Sequence, residues 1–100
     1  MAFEIRFKDE SLEKLQTENA KEDRAYPPGV AKRFRFTLNY IRRAVSERDL
    51  YAMKGFGFEK LKGKREHQCS MKLNDQWRLI LEMEGGNPRI VWVVAIEDYH

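Results

Sequence analysis

The sequence is poor in the residues that stabilise small disulfide-rich or metal-binding proteins. Of its 100 residues only one is a cysteine, Cys69, and two are histidines, His67 and His100. A single thiol cannot form an internal disulfide, and one cysteine with two distant histidines makes no convincing zinc site. The sequence therefore excludes a disulfide scaffold and predicts a protein without a metal or other cofactor.

Long apolar runs and the common catalytic loops are also missing. No stretch approaches the roughly 20 apolar residues that a membrane span needs, and the N-terminal segment MAFEIRFKDE lacks the apolar core of a signal peptide. Neither a glycine-rich phosphate loop nor a G-x-S-x-G elbow occurs. We therefore expect a single cytoplasmic domain over residues 1–100 that has no membrane partner.

The sequence is instead rich in charge, and its positive charge is concentrated. Charged residues make up 35% of the chain, and the net charge is +3. Residues 30–65 contain eleven Lys and Arg against three Asp and Glu, whereas the segments before and after them are net negative. This distribution is typical of proteins that bind polyanions, although a solvated helix face gives the same pattern.

The order of the hydrophobic patterns predicts an α+β fold. Residues 3–7 alternate as a strand does, and residues 8–18 show the spacing of a short amphipathic helix whose cap is Asp9 or Ser11. Residues 30–49 predict one long helix, with an apolar stripe of Val30, Phe34, Leu38, Ile41 and Val45. Strand patterns follow at 58–63, 68–73, 77–84 and 89–100. We predict two N-terminal helices packed on a small antiparallel sheet, in the order β-α-α-β-β-β-β.

The last predicted strand ends in three side chains that can transfer protons. The run VWVVAI is apolar on both faces, as in a central strand. It is followed by Glu97 and then by Asp98, Tyr99 and His100. In an extended chain Asp98 and His100 point one way and Tyr99 the other. Histidine can donate or accept a proton near neutral pH. A frayed tail without function is the alternative.

Arg78 is the second candidate for chemistry. It stands in the strand WRLILEME, which is otherwise rich in leucine and isoleucine. A guanidinium is always charged, and its planar fork fits a phosphate. The alternative is a structural ion pair with Glu82, Glu84 or Glu97.

A third group of candidates lies in the segment EKLKGKREH at 59–67. Strand alternation would place its three lysines on one side, which predicts either an anion-binding surface or an edge strand protected against aggregation. Together with the other candidates, this gives acids, bases and cations without a metal. Such a set suits RNA cleavage, because the 2′-hydroxyl of the substrate supplies the nucleophile. The candidate residues of this segment are Glu59, Lys60, Lys62, Lys64, Arg65 and His67.

The order of these pieces resembles the HigB-like branch of the RelE/ParE toxins. The resemblance consists of Leu61-Lys62-Gly63, Ser70, Trp77-Arg78 and the final Asp98-Tyr99-His100. It is strong over residues 58–100 and looser over 27–45, where a proline pair precedes the basic helix. It implies a RelE-like fold and a bacterial type II toxin that cleaves mRNA on the 70S ribosome. It also implies a cognate helix-turn-helix antitoxin, HigA-like, that neutralises the toxin.

The resemblance also implies roles for individual residues. Relatives often have a histidine where this chain has Glu59, so the general base stays open among Glu59, Asp98 and His100. Two other functions remain possible, namely a ParE-like gyrase inhibitor without nuclease activity and a non-catalytic nucleic-acid-binding module. The implied catalytic set is Glu59, Lys62, Arg78, Asp98, Tyr99 and His100, and the implied RNA-binding set is Lys60, Lys64 and Arg65.

Overall fold

Helices packed on one face of a five-stranded sheet form the fold of the computed structural model, which describes residues 2–17 and 24–98. The predicted α+β class is confirmed. Two 3-10 turns, at Lys54–Phe56 and Gly63–Arg65, interrupt the second half of the chain. The elements are β1 Phe3–Phe7, α1 Glu10–Leu15, α2 Val30–Arg43, α3 Glu47–Ala52, β2 Glu59–Lys60, β3 Gln68–Lys72, β4 Trp77–Glu84 and β5 Arg89–Asp98.

The first helix begins where the sequence offers a cap. Asp9 is the N-cap of α1, and its carboxylate accepts hydrogen bonds from the backbone N–H of Ser11 at 2.8 Å and from the Ser11 hydroxyl at 2.6 Å. These bonds, the hydroxyl bond first, hold the pKa of Asp9 below its ordinary value. Leu12 and Leu15 point from this short helix into the core.

The strands follow the order β1-β5-β4-β3-β2. The predicted antiparallel meander from β2 to β5 is confirmed. The sheet as a whole is mixed, because β1 pairs parallel to β5, with Ile5 opposite Val91. The predicted small antiparallel sheet is therefore corrected at its first strand. The chain between β1 and β2 forms the helices, which cross the sheet and allow the two outer strands to lie at opposite edges.

The predicted helix over residues 30–49 is two helices. α2 ends at Arg43, Ala44 has an extended backbone, and α3 begins at Glu47. The carboxylate of Asp49 accepts a hydrogen bond from the backbone N–H of Val45 at 2.8 Å, which fixes the turn. Val45 is consequently 77% exposed, so its predicted place on the buried stripe is wrong. The other members of that stripe are buried as predicted: Val30, Phe34, Leu38 and Ile41.

The second face of the sheet is less covered than the sequence predicts. Trp92 on β5 is only partly buried, and the cations of Arg6 and Lys8 lie 5.8 Å from its ring. Long charged side chains, rather than a second layer, therefore shield this apolar position. In the described part of the chain, no helix is long and apolar enough to cross a membrane.

Glu82 on the same face predicts a measurable dependence of stability on pH. Its carboxylate accepts hydrogen bonds from Lys8 at 2.7 Å and from Gln68 at 3.0 Å, and these bonds lower the pKa of Glu82, with the Lys8 bond as the largest cause. A lowered folded-state pKa stabilises the protein above the unfolded pKa, and the contribution is lost as the pH falls through the folded value. We expect Glu82→Gln to lower the unfolding free energy at pH 7 by at most about 1 kcal/mol and to change nothing at pH 2.

Urea unfolding at both pH values measures this effect. Glu84→Gln is the matched control, because Glu84 is exposed at the end of the same strand. An equal loss of stability at pH 7 and pH 2 in Glu82→Gln would show that the carboxylate charge is not the cause.

Candidate active site

Arg78 lies in the middle of a polar row on the sheet face that points away from the helices. Its Cα pairs with that of Lys72 on β3 and with that of Glu97 on β5. Residues that are directly opposite on neighbouring strands point to the same side. The Arg78 side chain is 17% exposed. A cationic group is thus held within the sheet but is open to solvent at one side.

Glu59 approaches Arg78 from the edge strand. Its Oε1 atom lies 3.8 Å from Nη1 of Arg78. Gly57 lies against the same guanidinium, since a Cβ built there would be 3.7 Å from Nη1, and its φ of +53° suits glycine. The segment from Gly57 to Glu59 therefore forms one wall beside Arg78. Glu59 was not among the carboxylates that the sequence suggested as partners of Arg78. Of those, Glu82 accepts hydrogen bonds from Lys8 and Gln68, and Glu97 accepts hydrogen bonds from Arg65.

The lysine-rich segment turns over this face instead of running as a strand. β2 ends at Lys60, and Gly63 has a φ of +68° at the start of a 3-10 turn. The predicted alternation of Lys60, Lys62 and Lys64 is therefore wrong. Lys60 points to the opposite side of the sheet, where its ammonium lies 3.7 Å from Glu47. Lys62 and Lys64 are exposed on the turn.

Arg65 anchors that turn to the row of Arg78. Its two terminal nitrogens donate to the two carboxylate oxygens of Glu97 at 3.0 Å each. Glu97 pairs with Arg78 across the strands. The turn that carries Lys62 is therefore tied to the same face as Arg78. An incoming phosphate would have to compete with Glu97 for Arg65.

Asp98 is the residue after Glu97 on β5 and does not belong to the row of Arg78. Its Cα pairs with that of Trp77, the neighbour of Arg78, so the sheet directs Asp98 to the other side. Its carboxylate accepts a hydrogen bond from Gln76 at 3.1 Å. Tyr99 and His100 lie outside the described residues, and their roles stay predictions.

Two residues of the face were not among the sequence candidates. Lys72 stands beside Arg78, with its ammonium 3.2 Å from Asp75. Ser70 is completely buried between Glu59 and Ile80, and its hydroxyl has no hydrogen-bond partner within the described part of the chain. The signal for Lys72 was present in the sequence. The turn at residues 74–75 sets an antiparallel register that brings Lys72 opposite Arg78.

Nucleophilic thiol chemistry does not suit this protein. Cys69 is buried on the core side of β3, and burial is the largest cause that raises the pKa of its thiol. A thiol with a raised pKa stays protonated at neutral pH and is a poor nucleophile. Among residues 2–17 and 24–98, no group of three or more His, Cys, Asp and Glu side chains could hold a metal ion.

The arrangement around Arg78 combines anion binding with a proton acceptor. Arg78 and Lys72 provide fixed positive charge, and Glu59 places a carboxylate at the edge of this positive region. Lys62 adds an exposed ammonium on a turn that is anchored to the same face. A phosphodiester bound here would meet donors on several sides and one carboxylate within reach.

Comparisons with known proteins relate the chain to a family and to a solved fold. Residues 5–100 match the family model of HigB-like toxins, described as RelE-like toxin of type II toxin-antitoxin system HigB. The chain is 33% identical over 82 residues to Toxin HigB-1 of Vibrio cholerae serotype O1, which covers 82% of this chain and 85% of that protein. Its fold is similar to that of a YoeB/ParE toxin from Agrobacterium tumefaciens, with a TM-score of 0.67 at 11% identity over 96% of this chain and 98% of that one. At so low an identity the second likeness concerns the fold alone.

Proposed function

The chain belongs to the HigB-like, RelE-related toxins of type II toxin-antitoxin systems, and on this premise we propose that it is a ribosome-dependent mRNA endoribonuclease. Membership in a toxin-antitoxin family implies a cognate antitoxin. We propose that this antitoxin is a HigA-like helix-turn-helix protein and that the toxin acts on the 70S ribosome in the cytoplasm. The observation that carries the nuclease proposal is the position of Glu59 at 3.8 Å from the guanidinium of Arg78.

In the proposed reaction Arg78 and Lys62 bind the scissile phosphate. The 2′-oxygen of the RNA attacks phosphorus, its proton passes to a general base, and the bond from phosphorus to the 5′-oxygen breaks. Arg78 neutralises the charge that develops on the phosphoryl oxygens. Tyr99 or His100 donates a proton to the leaving 5′-oxygen. The products are a 2′,3′-cyclic phosphate and a free 5′-hydroxyl, and the step requires no metal.

The geometry favours Glu59 over Asp98 as the general base of this reaction. Glu59 lies on the same side as Arg78, whereas the pairing with Trp77 directs Asp98 to the other side. Glu59 is also half-exposed, so a bound RNA could reach its carboxylate. His100 is the alternative base. The contribution that we propose for Asp98 is to position the end of β5 through its bond to Gln76.

Removal of Tyr99 and His100 tests the nuclease proposal directly. We expect the shortened chain to cleave translated mRNA at least about 100-fold more slowly, because a positioned acid or base contributes a factor of this size. Primer extension on mRNA, after brief induction in cells and with purified ribosomes, measures cleavage.

Three results would contradict the proposal. The first is undiminished cleavage by a shortened chain with the parent's melting temperature. The second is a DNA-damage response with intact mRNA in the parent, which would favour gyrase inhibition. The third is salt-sensitive RNA binding by the parent without cleavage products, which would favour a non-catalytic nucleic-acid-binding module.

A further inference from the structure

The outer side of α2 exposes an aromatic residue in a structured setting. Phe36 is 50% exposed, and its ring stacks on the buried ring of Phe56 with 5.9 Å between centroids and an interplanar angle of 23°. Tyr40, one turn further along the helix, lies 4.7 Å from the same Phe56 ring. Phe36 is therefore held in one orientation by a ring beneath it, as an anchor of an interface would be.

Cations surround this aromatic cluster. The guanidinium of Arg33 lies 4.5 Å from the Phe56 ring and 5.1 Å from the Phe36 ring. One groove beside Phe36, of about 250 Å³, is lined by Gly29, Lys32 and Arg33. A second groove, of about 180 Å³, is lined by Asn39, Tyr40 and Arg43. Within the described part of the chain, neither groove is lined by an acidic side chain.

We propose that this surface, the Phe36 face, is the docking site of an acidic segment of the cognate antitoxin that carries a bulky apolar side chain. Exposed aromatic residues accompanied by arginine are characteristic of protein interfaces. Among the residues that the structure describes, no acidic side chain pairs with Lys32 or Arg43, and we expect their positive charge to select carboxylates in the partner. The inference rests on the toxin-antitoxin pairing and is independent of the nuclease chemistry.

The residue that supports Phe36 is joined in sequence to the wall of the candidate active site. Phe56, which supports Phe36, is followed directly by Gly57, and Gly57 lies against the guanidinium of Arg78. A partner segment that continues from Phe36 around the edge of the sheet and past Gly57 would reach the Arg78 row. Carboxylates carried past Gly57 would occupy the site of the RNA phosphate. The docked antitoxin segment would then neutralise the toxin by blocking the binding of RNA.

The test uses the cognate antitoxin that the family implies, produced from a separate promoter. We expect Phe36→Ala to raise the Kd for that antitoxin at least tenfold in calorimetric titration with refolded toxin. When the antitoxin is absent, the variant should arrest growth as fully as the parent does. Lys32→Glu combined with Arg43→Glu should give the same pattern without touching the packing of Phe56. Val45→Ala and Arg48→Glu are the matched controls, because both residues are exposed outside this face, and they should bind as the parent does.

Each remaining outcome either contradicts the docking proposal or distinguishes it from the nuclease proposal. If folded Phe36→Ala and the double variant bind the antitoxin with the parent's Kd, the docking site lies elsewhere. If they lose growth arrest without antitoxin present, the face serves ribosome or RNA binding instead. If they lose antitoxin binding while the parent shows no mRNA cleavage, the docking proposal stands and the nuclease proposal fails.

Discussion

Replacement of Arg78 by alanine should abolish growth arrest and lower ribosome-dependent mRNA cleavage at least about 100-fold. Loss of one preorganised donor to a developing oxyanion commonly costs a factor of this size. Arg78 is only 17% exposed, so its charge acts where water screens it less than at the surface. Rates of cleavage of a defined mRNA on purified ribosomes measure the effect.

Two companion variants make this result specific. Arg78→Lys keeps the charge but loses the planar fork, and we expect an intermediate rate. Arg89→Ala removes another partly buried arginine, one that pairs with Glu47 on the other side of the sheet, and should leave cleavage unchanged. A folded Arg78→Ala protein that cleaves as fast as the parent would remove Arg78 from the mechanism.

Replacement of Phe34 by alanine should lower the unfolding free energy by about 3–5 kcal/mol, the usual cost of emptying an aromatic site in a core. Phe34 lies in the first half of α2 and is fully buried in the hydrophobic core. Domains of this size are stable by roughly 5–15 kcal/mol, so much of the reserve would be lost. Urea unfolding followed by tryptophan fluorescence measures the change in midpoint.

Phe36 on the same helix provides the matched control for this experiment. Its ring is half exposed and leaves no enclosed cavity when it is removed. We expect Phe36→Ala to cost less than about 1.5 kcal/mol, a fraction of the cost at Phe34. Equal losses at the two positions would show that the two faces of α2 are not distinguished by burial.

The parts of the fold that depend on periodicity could be predicted from the sequence. Alternation located the strands, because one side of each packs on the helices, as Met71 and Leu79 show. The break after Arg43 was not predictable from periodicity, because Val45 continues the apolar spacing. The bond from the Val45 N–H to the Asp49 carboxylate competes with the helix locally and ends it. Likewise, one positive φ at Gly63 ended the predicted lysine alternation.

The partners of the site depended on register and on distant parts of the chain. The sequence suggested Glu82 as one partner for Arg78, but Lys8, which is 74 residues away, binds Glu82. The position of β1 at the far edge of the sheet brings that lysine there. Glu59 reaches Arg78 because a two-residue edge strand places it so. The residue types for anion binding were thus predictable, whereas their pairing required the topology.

The position of β5 inside the sheet determines when, during synthesis, the toxin can complete its fold. β5 separates β1 from β4, so β1 cannot join the rest of the sheet until residues 89–98 have been made. During translation β1 has no partner strand until β5 has been made. We therefore expect the nascent chain to stay harmless to the ribosome that synthesises it. An antitoxin that is already present could then bind the newly synthesised toxin as soon as the toxin has folded.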